Sequence, residues 1–426
     1  MNRMSDLATV AALGLAVLSA SCGRNPVRAM VPSPVVMQDK RLDFSRPVLP
    51  ERRTTEVSVL FATTRAPAPP DAPERFTRHP GDAVRLGIAR VQLGQPEWSF
   101  DELAESDRTS RPETPRPARV VAVEEFGVFG APGSAAEREF IAAVDRQVET
   151  SPSGSVVIYV PGYRASFDEV MILLGSWGHF LGRHSPMIAF SWPTGTRALD
   201  YLRDCPRARA FVPDIAALIA LVAERSQARR LNVMAFSCGA PLLAEALVQL
   251  REAHSGEDHE ALQRRYRIAN AIFAAADIDL QTFARSHLPV LSDIAQRTVV
   301  YVSENDVALR FSALLARASR LGRPRFDELT REDLETFANN ERLVGIDVTG
   351  VYGPHELTGA RGHGYWVANQ RVSSDVLFSM VYPFDPAWRG LVHGPGLGMW
   401  TFPADYPRRV GDAVYQAVPE VHREER

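Results

Sequence analysis

The chain has little lysine, little cysteine and no long apolar run. Of its 48 basic residues only Lys40 is a lysine, and 51 acidic residues leave a net charge of −3. With no basic field to displace counterions from a phosphate backbone, nucleic-acid binding drops out as a class. Three cysteines, Cys22, Cys205 and Cys238, are too few for a disulfide scaffold, and no Cys/His spacing suggests structural zinc. No segment reaches the roughly 18 uninterrupted apolar residues of a membrane-spanning helix. What is present is a globular composition, with 45% hydrophobic and 23% charged residues over 426 positions. That length suits two domains, or one large α/β domain with extensions.

The first residues read as an export signal. Residues 7–18 form an apolar run of signal-core length, followed by Ser19-Ala20-Ser21 and then Cys22. This resembles a bacterial lipobox, in which the cysteine is acylated and becomes the first mature residue. The expectation is an exported lipoprotein of the cell envelope that meets the membrane through an anchor at Cys22; plain secretion into the periplasm or beyond is the alternative. Residues 23–53 are proline-rich and polar with no sustained period, and read as a tether ahead of a single domain over 54–426. Residues 105–117 read as a surface loop.

Beyond the tether, short β-branched runs alternate with helical patterns. Strands are expected over 56–62, 86–93, 119–123, 155–160, 187–192, 231–236, 268–275, 297–303 and 343–348. From residue 155 onward these runs are almost wholly apolar, as strands buried on both faces should be. Ser134 with Glu137, and Ser166 with Glu169, have capping-box spacing; further helices are expected over 206–229, 238–251 and 308–321. The predicted class is α/β, with a mostly parallel central sheet, helices on both faces and an antiparallel N-terminal edge.

The most informative string is Leu231-Asn232-Val233-Met234-Ala235-Phe236-Ser237-Cys238-Gly239. An apolar strand runs into a serine and a helix begins at once. That is the setting of a nucleophile elbow, whose tight turn requires small residues two before and two after the serine, here Ala235 and Gly239. The blander reading is a serine N-cap without chemistry. Pro161-Gly162-Tyr163, at the end of the strand over 155–160, offers a turn whose Tyr163 N–H would pair with that of Cys238 to hold an oxyanion. In this architecture the partners follow as serine, acid, histidine. Asp306 is the chosen acid and Asp277 the alternative; His363, between two glycines, is the chosen base and His355 its rival. Trp192 and Trp366 are candidates for lining an apolar pocket, or else core residues. Cys205 and Cys238 are close enough to bridge only if their Cα separation allows it.

With these residues assembled, the chain resembles the α/β-hydrolase superfamily, and more narrowly the bacterial alpha/beta hydrolases of unknown function, DUF900. The resemblance rests on residues 59–65, 161–167, 190–195, 235–239, 275–279, 303–306 and 362–365. It departs at Phe236, Cys238 and Pro161, where relatives often carry His, Met and His. The resemblance implies a serine hydrolase of the carboxylesterase kind acting on small-molecule carboxylic esters or thioesters, with no metal or organic cofactor. Phe236 and Pro161 favour a competing expectation, an inactive envelope protein that kept the fold as a binding module.

Overall fold

The computed structural model describes residues 28–423, apart from 73, 112–113, 131, 198–199, 352–361, 383 and 395–397. Cys22 and His355 therefore lie outside the described residues. The strands are β1 (Glu56–Pro67), β2 (Phe76–Leu93), β3 (Ala118–Val128), β4 (Ser155–Val160), β5 (Met187–Ser191), β6 (Arg230–Phe236), β7 (Ile268–Ala274), β8 (Ala295–Val302), β9 (Leu343–Asp347), β10 (Val392–His393) and β11 (Trp400–Thr401). They form one sheet in the order β10-β11-β9-β8-β7-β6-β4-β5-β1-β2-β3. From β1 through β9 to β11 the pairings are parallel, except that β2 and β3 add an antiparallel edge beside β1 and β10 pairs antiparallel with β11.

Alternation along the central strands explains why the sheet is covered on both sides. Val156, Ile158 and Val160 of β4 enter one apolar layer with the helices Ala135–Val148, Val212–Arg225 and Gly239–Glu252. Val157 and Tyr159 enter the other, with the helices Phe167–Phe180, Gln370–Val381 and Tyr406–Ala417. Both faces of a parallel strand are thus buried, and an unbroken apolar run is the sequence form this takes. Ser166 and Glu169 form the expected reciprocal cap of the helix Phe167–Phe180, and Ser134 caps Ala135–Val148.

Strand order reverses between β4 and β6. From β4 the chain steps outward to β5, whereas from β6 it proceeds the other way through β7, β8 and β9. The carboxyl ends of strands at such a switch point bound a crevice, because the connecting helices leave on opposite faces.

Three expectations need correction. Residues 28–53 are no free tether: Met30, Val36, Met37, Leu42 and Val48 are buried, Ala29 bridges Pro117 and Leu42 bridges His422. Irregularly spaced apolar side chains on a segment of turns and short 3-10 helices leave no period to read, yet burying each contributes roughly 1.5–3 kcal/mol. Residues 105–117 are not wholly loop, since the helix Phe100–Arg108 runs into them, capped by Ser99 and Glu102. Its Asp107 is buried between Arg116, Ser33 and His179. The helix expected over 206–229 is broken into Tyr201–Arg207, a short 3-10 turn and Val212–Arg225.

Candidate active site

Ser237 and Cys238 are all that separate β6 from the helix Gly239–Glu252. Ser237 has φ of 53°, a left-handed conformation that a serine adopts only when its surroundings hold it there. Three backbone bonds do so: the Ser237 N–H donates to Ala274 O, and Ser237 O accepts from Ala240 N and Asp277 N. Gly239 has no alternative, because a Cβ there would lie 2.4 Å from Pro161 O. Ala235 is fully buried. The two small positions are therefore small for the reason the turn demands.

His363 bridges serine and acid. Its Nε2 lies 2.8 Å from Ser237 Oγ and its Nδ1 2.7 Å from Asp306 Oδ2. A carboxylate only accepts, so Nδ1 carries the proton and Nε2 is left to accept from the serine hydroxyl. Asp306 follows β8 at the start of the helix Val307–Ala316, where its other oxygen accepts from Leu309 N at 2.9 Å. Fully buried, this carboxylate is fixed by one oxygen and orients the imidazole with the other. Burial alone would lower the His363 pKa, but the Asp306 charge and hydrogen bond, with Asp277 further off, outweigh it and hold the imidazole above its ordinary value. The Phe236 ring packs against the imidazole at 4.9 Å between centroids.

Asp277 stands apart from that relay. Its Oδ1 accepts from Ser312 Oγ at 2.6 Å and pairs with Arg320 Nε at 3.2 Å. Burial pushes its pKa up, against the pull of Arg320 and Ser312. Cys238 is bonded to Cys205, with Cα atoms 5.9 Å apart, tying the elbow to the helix Tyr201–Arg207.

The turn after β4 lies against the elbow: a Cβ on Gly162 would meet Ser237 Cβ at 3.0 Å. Among the described residues neither the Tyr163 nor the Cys238 backbone N–H donates to another backbone group. Side chains secure the turn. Trp192 Nε1 donates to Pro161 O at 2.8 Å, Tyr163 Oη to Arg197 O at 2.6 Å, and Thr194 Oγ1 to Ala165 O at 3.1 Å. Arg65, fully buried at the end of β1, donates from Nη2 to Ala165 O at 2.7 Å, from Nε to Ser191 Oγ at 2.9 Å and from Nη1 to Thr77 O. Burial, with some help from Arg78, draws its pKa down to about 9. Sequence reasoning gave Arg65 no role; the available signal was a guanidinium closing a mostly apolar strand.

Of the two readings for Trp192 and Trp366, the structure shows core packing, and neither lines the cavity beside the elbow. Trp192 is fully buried under the Pro161 turn, and Trp366 packs among Tyr159, Trp177 and Phe236. Large rings beside a glycine-rich site fill the volume its small residues leave open. Beside the elbow, a cavity of about 390 Å³ runs from Cys238 and Asp277 between Pro206, Pro241 and Leu315. Among the described residues no group of three His, Cys, Asp or Glu side chains could hold a metal ion, and no helix is long and apolar enough to cross a membrane.

No curated protein matches the chain. Residues 136–379, more than half of it, match the family described as alpha/beta hydrolase of unknown function. The sheet order, the elbow after β6 and this match agree: the chain belongs to the DUF900 family of α/β-hydrolases.

Proposed function

We propose that this α/β-hydrolase is a serine hydrolase cleaving carboxylic ester or thioester bonds through an acyl-enzyme. The single observation that carries the reading is the unbroken relay from Ser237 Oγ through His363 to Asp306, at 2.8 and 2.7 Å. His363 Nε2 takes the hydroxyl proton as Ser237 Oγ attacks the carbonyl carbon, and Asp306 stabilises the imidazolium without accepting the proton. The backbone N–H groups of Tyr163 and Cys238 hold the carbonyl oxygen as it gains charge. The imidazolium then protonates the leaving alkoxide or thiolate. Water, deprotonated by the same nitrogen, attacks the acyl-enzyme to release acid and restore the serine.

A fluorophosphonate probe tests this directly, because it phosphonylates only an activated serine. Labelling of Ser237 together with turnover of short acyl esters is the expected result. A folded protein that takes up no label at Ser237 would end the proposal and leave the binding-module reading in its place.

We further propose that the chain is an envelope lipoprotein anchored through acylated Cys22. The signal-like run ahead of Cys22 supports this, as does the Cys205–Cys238 bond, which fits an oxidising compartment outside the cytoplasm. Cys22→Ala should move the protein from the membrane fraction to the soluble one.

A further inference from the structure

The cavity beside the elbow has a wall on which both arginines are paired. Arg320 pairs with Asp277 at 3.2 Å and Arg209 with Glu245 at 3.0 Å. Asp279 spends Oδ1 on the Thr282 N–H and hydroxyl, both at 2.7 Å. With both arginines paired, the Asp279 carboxylate leaves the wall net negative, so an anion entering here would lose its hydration and be repelled. Pro206, Pro241, Ile278 and Leu315 supply apolar wall. At about 390 Å³ the space lies within the usual range for small-molecule sites.

His287 and Asp277 on this wall still have bonding capacity. His287 ends a π-helical stretch, Phe283–His287, the kind of widened turn that recurs at functional sites. It is 7% exposed, and neither ring nitrogen has a hydrogen-bond partner among the described residues; Nδ1 is sealed off altogether. Burial and the neighbouring Arg209 lower its pKa, so the ring is neutral. A sealed lone pair costs less than a sealed N–H, which places the proton on Nε2 as a free donor. Asp277 uses Oδ1 for Ser312 and Arg320, and its Oδ2 has no partner among the described residues. The wall thus offers a donor at His287 and an acceptor at Asp277 beside its apolar side chains.

We propose that this cavity binds an uncharged, hydroxyl-bearing arm of the ester substrate, with His287 and Asp277 as the residues that read its hydroxyls. A polyol or hydroxyacyl ester with an apolar stretch is the class that fits: a hydroxyl both accepts from His287 and donates to Asp277, and the hydrocarbon covers the apolar wall. The inference rests on the serine-hydrolase reading and specifies its substrate.

The test compares four esters on the full chain: propyl hexanoate, 1-hexanoylglycerol, propyl 6-hydroxyhexanoate and monopropyl succinate. The glycerol or the hydroxyacyl ester should exceed propyl hexanoate in kcat/KM by roughly tenfold, the scale of one good hydrogen bond, with the anionic ester poorest. His287→Leu should cut that preference to near unity through KM, while His287→Gln, which keeps a donor, retains part of it. Equal turnover of propyl hexanoate and both hydroxylated esters, or preference for the succinate, overturns the inference and leaves the hydrolase reading intact. Absence of all ester turnover together with absence of probe labelling at Ser237 removes both.

Discussion

β4 and β6 meet where the sheet reverses its order and deliver the Pro161 turn and Ser237; β1, two strands away, delivers no reacting atom. Yet β1 ends in Arg65, whose guanidinium holds the same turn from behind through Ala165 O. The two regions differ in how they were built. The parallel strands place chemistry at their carboxyl ends by topology alone. β1, which borders the antiparallel edge, contributes a buried cation bonded to carbonyl and hydroxyl oxygens, with no carboxylate among its hydrogen-bond partners in the described residues. Burying a guanidinium is costly unless several hydrogen bonds satisfy it, so its presence marks a backbone segment whose position matters. The parallel half is expected to govern whether reaction occurs, and the edge how well the oxyanion is met.

The comparison breaks first at Ser237. Ser237→Ala should reduce kcat by about 10⁴-fold or more while leaving the far-UV spectrum and melting temperature near wild type. Asp306→Asn should cost about 10³–10⁴-fold, because the amide no longer favours the Nδ1–H tautomer. Asparagine caps helices as well as aspartate does, so the helix Val307–Ala316 should keep its stability. Arg65→Met is the sharper test of the edge. A displaced turn should lower kcat about 10–100-fold with KM little changed, and Arg65→Lys should restore part of it through one remaining donor. A folded Arg65→Met enzyme with wild-type kcat would reduce β1 to scaffolding. The smallest effect concerns pH. His363 is the base only when unprotonated and its pKa is raised, so activity should fall on acidification through a midpoint above the ordinary imidazole value of about 6.5. Asp277 is one of the charges raising it, so Asp277→Asn should move that midpoint to lower pH, measured as the acid limb of kcat/KM.

The sequence was legible where chemistry coincides with a local signature. The span predicted at 155–160 is β4 to the residue, and Ser237 stands out because strand, small residues and helix all crowd one short string. Chain order narrows the partners to Asp306 or Asp277 and His363 or His355, and the structure joins His363 to Ser237 and Asp306 to His363. Asp277 could not be separated from Asp306 by position, since each follows a strand; Ser312 and Arg320 occupy it, and they come from distant parts of the chain. Trp192 and Trp366 stayed open between two readings because an aromatic beside a site motif reads alike whether it lines a cavity or fills a core. Residues 28–53 misled because a packed segment of turns and short 3-10 helices carries no period.

The strand–helix alternation, the elbow around Ser237 and the chain order of its candidate partners are all written in the residues themselves, since the first two are local constraints on size, periodicity and backbone angle and the third is simple order along the chain. Only the tertiary structure decided which carboxylate meets His363, that Cys205 reaches Cys238, that Arg65 stands behind the Pro161 turn, and where the cavity opens. Those depend on distances between segments far apart in the chain, and such distances are set when the sheet assembles.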